Sequence, residues 1–281
     1  MPGALRSAAL QLRTARHVLP RGRGSLRLRL GPLDERAVFV IGSPRSATTF
    51  VGRALGTLPG FVELGEVAPL KAVIPEVAQL PPGDVAPRLR RVLTLAGRLG
   101  LAGGLRAVEH TPENAFVAEA LALSFPEARF VHPVRDGRDV AASLLERGWL
   151  SADRAGADDA GAPFGPAARF WVEPDRRDEF AAASDARRAA WAWRRYVEAA
   201  QAVPERTIEV RYESLVEQPA ETARAVAGFL GADPAALEQR LAAARSSGVG
   251  RHRRDLTGAQ LAEVEEEAGA LLRSLGYLQS V

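Results

Sequence analysis

Apolar residues of this chain gather in short runs separated by polar or glycine-rich turns, and the runs differ in kind. Ala37-Val38-Phe39-Val40-Ile41 is rich in β-branched residues and has the length of a strand buried on both faces. Leu105–Val108, Arg129–Val134 and Thr207–Arg211 predict three further strands. Between them the apolar positions change to helical spacing. Phe50–Leu58, Pro112–Ser124, Asp139–Arg147 and Ala186–Ala202 predict helices, and two or three more close the chain. Strands alternating with helices predict an α/β fold with a parallel sheet. Residues 150–183 break the pattern: Ala, Gly, Pro, Asp and Arg predominate, and Phe164, Phe170 and Trp171 follow no steady period. A loop that long inside a compact domain is usually functional or disordered.

Composition narrows the reading. The 281 residues are 47% hydrophobic and 25% charged, ordinary for a globular protein. Cysteine is absent, which removes disulfide scaffolds, zinc–cysteine sites and thiol catalysis. No run approaches the roughly 18 apolar residues of a membrane span, so no transmembrane anchor is expected and a cytoplasmic location is. The net charge of +3 is unevenly spread, because residues 1–33 hold seven arginines and no acid. Residues 1–33 are therefore expected to form a flexible basic extension, whether a transit peptide, a phosphate- or membrane-attracted arm or simply a solvated tail, ahead of an α/β domain at 34–281. With the basic excess confined to that segment, the overall charge is weak evidence for a nucleic-acid-binding body, and no nucleic-acid partner is expected. Lys71 is the single lysine, so cationic roles fall to arginine.

The candidate chemistry begins where the first strand ends. Gly42-Ser43-Pro44-Arg45-Ser46-Ala47-Thr48-Thr49 leads from strand to helix, the layout of a phosphate-cradling turn. It has the length of a P-loop without its lysine: Thr48 stands at that position and Ala47 at the second glycine. Backbone N–H groups, the hydroxyls of Ser46, Thr48 and Thr49, and the Arg45 guanidinium suit a compact tetrahedral anion. A second group follows the strand at 129–134. Arg135 leaves its C-terminal end, where open α/β sheets bind ligands, and Ser143 lies about a turn and a half into the next helix. Both suit one further phosphate; the alternative is an Arg135–Asp136 ion pair with Ser143 on the surface.

These segments, with Arg211-Tyr212-Glu213-Ser214-Leu215 and the closing stretch from Ser246 to Thr257, resemble the successive motifs of PAPS-dependent sulfotransferases, in order across residues 37–277. The resemblance implies a P-loop-containing nucleotide-hydrolase-like fold, a central parallel sheet flanked by helices. It implies 3′-phosphoadenosine 5′-phosphosulfate (PAPS) as sulfuryl donor, a hydroxyl-bearing acceptor (carbohydrate, small metabolite or tyrosyl group), and release of adenosine 3′,5′-bisphosphate. Arg45, Ser46, Ala47, Thr48 and Thr49 would hold the 5′-phosphosulfate, Arg135 and Ser143 the 3′-phosphate. Phe50 and Tyr212 would approach the adenine, and Gly250 with Arg251 would close over the 3′-phosphate. Two positions depart from the pattern: Ala47 replaces a glycine, which matters if φ is positive there, and His252 stands where tryptophan is frequent. Arg45 in place of a lysine points to the carbohydrate, tyrosyl-protein and bacterial branches.

Sulfuryl transfer needs a held donor, a cation on the departing oxygens and a base for the acceptor proton. No metal is required, and no HExxH or carboxylate cluster in the sequence offers one. Arg45 is the natural cation. The candidate bases are Glu66, Glu109 and His110. Glu66 lies 21 positions beyond Arg45, an offset resembling the catalytic glutamate of tyrosyl-protein sulfotransferases. His110, where many relatives carry a lysine, would touch the sulfuryl group or serve as base. The acceptor is expected under residues 150–183, with Trp149, Phe164, Phe170 and Trp171 either lining its pocket or anchoring the loop. Two other readings are an ATP-dependent small-molecule kinase, which predicts the missing lysine and magnesium ligands, and a non-catalytic nucleotide-binding protein on the same fold.

Overall fold

The computed structural model describes residues 12–19, 32–151, 154 and 169–279. Its centre is a five-stranded sheet in the order β2-β3-β1-β4-β5, comprising β1 (Val38–Val40), β2 (Phe61–Gly65), β3 (Arg106–Glu109), β4 (Arg129–Val134) and β5 (Thr207–Arg211). Every pairing is parallel, with Val38 opposite Val108 and Arg129, Val62 opposite Ala107, and Val131 opposite Ile208. Successive side chains of a strand point to opposite faces, and both faces are covered. Phe39 and Ile41 pack with Val62, Leu64, Leu70 and Leu89 on one side. Val38 and Val40 pack with Leu55, Val131, Val210 and Val226 on the other. That two-sided burial is why β1 reads as an unbroken apolar run rather than an alternating one.

Helices α1 (Thr48–Gly56), α2 (Ala68–Val77), α3 (Pro82–Leu99), α4 (Ala118–Ser124) and α5 (Gly137–Arg147) fill the crossovers. Beyond them lie α6 (Arg177–Ala182) and α7 (Asp185–Ala200). After β5 come α8 (Tyr212–Glu217), α9 (Pro219–Leu230), α10 (Pro234–Leu241), α11 (His252–Asp255) and α12 (Gly258–Ser274). The expected strand–helix alternation is present, and all four expected strands form. The structure adds β2, along a stretch for which the sequence predicts no element, and the pair α2–α3 behind it. Glu63 in the middle of β2 masks its apolar character, yet the strand is buried throughout. The helix expected over Pro112–Ser124 is 3₁₀ from Pro112 to Val117 and α only from Ala118.

The described part of the N-terminal extension lies against the body rather than free in solvent. Residues 12–18 are helical, Val18 is fully buried, and it packs where a side chain at Gly100 would stand. Of the irregular segment, Phe164 lies outside the described residues. Trp171 is buried edge-on against Phe180 at 5.4 Å, and Phe170 meets Phe116 at 5.2 Å. These two aromatics anchor the described end of the segment. No helix among the described residues is long and apolar enough to cross a membrane.

Candidate functional site

With every strand parallel, the C-terminal ends of β1, β2, β3 and β4 share one edge of the sheet, and the expected site residues leave from those ends. At the end of β1 the chain turns through Gly42 at φ +131°, where a Cβ would stand 2.7 Å from the His132 ring on β4. Arg45 and Ala47 then take left-handed conformations, φ 70° and 75°. Residues alternating in this way turn successive N–H groups toward a common concavity. Ala47 is the N-cap of α1 and supplies no side-chain cap, and no acid stands in the first turn. The open N–H groups and positive dipole end of α1 therefore face a cleft of about 470 Å³. Seven expected residues line it: Arg45, Ala47, Thr48, Thr49, Phe50, Arg135 and Tyr212. Ala243, Ala244 and Arg245 join from the C-terminal side. A larger cavity, about 690 Å³, opens at the opposite ends of the strands. Its Arg36 and Arg106 are spent on Asp34 and on the carbonyls of Arg36 and Leu230, so it is the weaker candidate for a charged ligand.

The cations of the cleft are short of carboxylates. Arg45 donates from Nε to Ser143 Oγ at 2.9 Å and lies 5.5 Å from the Trp149 ring, with no carboxylate in ion-pair range among the described residues. Burial, then the nearby Arg147 and Arg135, push its pKa below the ordinary arginine value. Arg135 donates to the Arg45 carbonyl at 3.1 Å and to the Gly248 carbonyl, and stacks at 4.8 Å on the Tyr212 ring. Burial lowers its pKa as well. Two buried polar atoms have no partner here, Ser46 Oγ and Arg135 Nε. Such orphans are rare and mark a place for a ligand. Asp136 does not pair with Arg135. It caps α5 by accepting from Arg138 N–H at 2.9 Å, and the Arg138 guanidinium covers its carboxylate. Trp193 fixes the turn from below by donating to the Arg135 carbonyl at 3.1 Å.

The closing loop is tied down over this turn. Gly250 N–H donates to Asp139 at 2.7 Å, and the Arg251 guanidinium is held by Asp255 and Glu146 at 2.7 and 3.0 Å. Tyr212 donates its hydroxyl to the Arg245 carbonyl at 2.5 Å. Gly250 and Arg251 are not among the residues that line the cleft, and carboxylates engage their donors.

Further along the same edge, Glu66 follows β2 with an exposed carboxylate 3.1 Å from Lys71 Nζ, which also lies 3.5 Å from Glu113. Glu109 is buried and accepts from Val67 N–H and Thr111 N–H, both at 2.9 Å, and from the Thr111 and Asn114 side chains. Burial pushes its pKa up against donors that pull it down, and its work is to join the loops after β2 and β3. His110 does not join the cleft. Its ring is buried in the space left by Gly52, with Nε2 3.1 Å from Glu63, and it is not among the residues that line the cleft. The place of His110, an expected catalytic residue, is away from that cleft, and the glycine on α1 is what lets the imidazole sink under the helix.

Solved structures similar to this chain include the sulfotransferase domain of the Synechococcus PCC 7002 olefin synthase, at 16% identity over 86% of this chain and 95% of that one, TM-score 0.49. A sulfotransferase from Mycobacterium avium matches at 15% identity over 87% and 77%, TM-score 0.49. A sulfotransferase domain from the curacin biosynthetic pathway matches at 16% over 88% and 100%, TM-score 0.48. No curated protein matches the sequence. The family model described as "Sulfotransferase family" matches residues 90–235, just over half of the chain and including Arg135, Ser143 and Tyr212. The chain is a member of the sulfotransferase family.

The donors that line the sulfotransferase's cleft suit anionic groups. Two orphaned buried donors, a carboxylate-free Arg45 and an acid-free helix start are what phosphate oxygens would satisfy. Arg45 and Ser143, expected at different groups of the nucleotide, are hydrogen-bonded to each other, and Arg135 donates to the Arg45 carbonyl. Sequence reasoning missed Asp139, Trp193, Lys71 and the 243–245 wall. Asp139 alone left a signal, an acid in the first turn of an expected helix.

Proposed function

We propose that this sulfotransferase moves a sulfuryl group from PAPS to a hydroxyl of an acceptor and releases adenosine 3′,5′-bisphosphate. The observation that carries the reading is Arg45, a half-buried guanidinium without a carboxylate, standing beside an uncapped helix start. PAPS supplies an activated S–O bond to phosphate; the acceptor oxygen bonds to sulfur as that bond breaks, and the acceptor proton is taken up by a base. Arg45 holds positive charge where the departing oxygens gain negative charge, in a site partly closed to water. Thr48, Thr49 and the first N–H groups of α1 orient the 5′ end, and Arg135 with Ser143 holds the 3′-phosphate. Glu66, exposed at the same sheet edge and steadied by Lys71, takes the proton. Phe50 and Tyr212 flank the base.

Thermal unfolding with adenosine 3′,5′-bisphosphate, AMP and ATP–magnesium, on wild type and Arg135→Ala, tests it. Ligand at a hundred times its Kd stabilises by about 2.7 kcal/mol, several degrees at roughly 2–4 °C per kcal/mol. The expected result is a shift with the bisphosphate that Arg135→Ala abolishes. A shift with ATP–magnesium alone would overturn PAPS as the donor.

A further inference from the structure

Asp139 is buried in the first turn of α5, one turn beyond Arg135, and nothing in the transfer chemistry above uses it. Its carboxylate accepts three hydrogen bonds from one short stretch: Gly250 N–H at 2.7 Å, His252 N–H at 2.9 Å and, across 2.6 Å, the His252 ring at Nδ1. Arg135 grips the same stretch with the opposite polarity, donating to the Gly248 carbonyl. The approach is close: a Cβ at Gly248 would stand 2.9 Å from the Tyr212 hydroxyl and 3.0 Å from Arg135 Nη2. Arg135, which lines the cleft, is left with one buried nitrogen, Nε, without a partner.

We infer that Asp139 and His252 form a latch that holds the 246–252 loop against Arg135 and so sets recognition of the nucleotide's 3′-phosphate. Asp139 is a positioning residue. Its carboxylate pulls the loop's amides toward α5, which brings the Gly248 carbonyl onto Arg135 and fixes the guanidinium with Nε free. Without the latch the loop loses three charge-assisted bonds, and Arg135 is released to rotate on its Tyr212 platform.

The inference rests on the reading of the cleft as a site for a 3′-phosphorylated nucleotide, and the test separates the two. Isothermal titration would compare adenosine 3′,5′-bisphosphate with AMP on wild type, Asp139→Asn and His252→Asn. Wild type is expected to prefer the bisphosphate. Asp139→Asn should weaken bisphosphate binding roughly tenfold to a hundredfold, the scale of hydrogen bonds to a charged group, while AMP affinity stays within about twofold. The preference, not overall binding, is what should collapse, a result that a general loss of structure does not produce. If Asp139→Asn fails to fold, His252→Asn, which leaves the carboxylate and both amides in place, should show a smaller loss in the same direction. A wild type without preference overturns the nucleotide reading and the latch together. A wild type with preference, and variants that keep it, overturns the latch alone.

Discussion

At the scale of single residues, the site departs from the easiest backbone choices, and the departures can be tested. Ala47 takes φ 75°, a conformation that costs a residue with a Cβ about 1–2 kcal/mol relative to glycine. Ala47→Gly should therefore raise stability by about 1 kcal/mol, the relief less the extra freedom of glycine in the unfolded chain. Urea unfolding reads it directly, and a destabilised variant would mean the loop is not strained. Glu66→Gln should lower turnover by roughly 10²–10⁴-fold, the contribution of a positioned base, with bisphosphate affinity unchanged. Single-turnover release of the bisphosphate from PAPS with a productive acceptor measures it, and full turnover in the variant would remove Glu66 from the mechanism. Arg45→Ala should lose roughly 10²–10³-fold in the same assay, the scale of removing one preorganised charge-stabilising donor.

At the scale of elements, β4 joins core and site. Its His132 is buried under Gly42, and burial lowers its pKa from 6.5 to about 4. Because the folded pKa is the lower one, the unfolded chain takes up the proton first as pH falls. Stability contributed by the neutral ring is complete above about pH 6.5 and is lost progressively toward pH 4, a loss on the order of 3 kcal/mol. Unfolding free energies between pH 7 and 4 should fall more steeply in wild type than in His132→Gln, and parallel curves would show that the ring is not held neutral. The element scale is also where sequence reading missed β2. Glu63 sits mid-strand, and its burial is tolerated because His110 from beyond β3, Arg53 from α1 and His17 from the N-terminal helix converge on it at 3.1, 3.7 and 3.5 Å. Those partners lie 10 to 47 positions away along the chain, so no local pattern announces the strand.

At the scale of the whole molecule, the N-terminal basic segment belongs in part to the body. Burying a side chain such as Val18 contributes about 1.5–3 kcal/mol. Deleting residues 1–19 should lower Tm by several degrees at roughly 2–4 °C per kcal/mol, whereas removal of a free arm would leave Tm unchanged. The alternation of apolar runs, the small-residue turn after β1 and the order of the arginine-bearing motifs were already settled along the chain. Strand periodicity, helix starts and loop chemistry act between neighbours, and neighbours are what a sequence displays. The folded chain alone decided that His110 sinks under Gly52, that Asp136 serves Arg138 and leaves Arg135 to the cleft, and that Asp139 reaches across 113 positions to His252. Each of those outcomes is a competition between partners brought together by packing. Charge and hydrogen-bonding capacity can be read from a residue's name, but which partner satisfies them depends on distance in space.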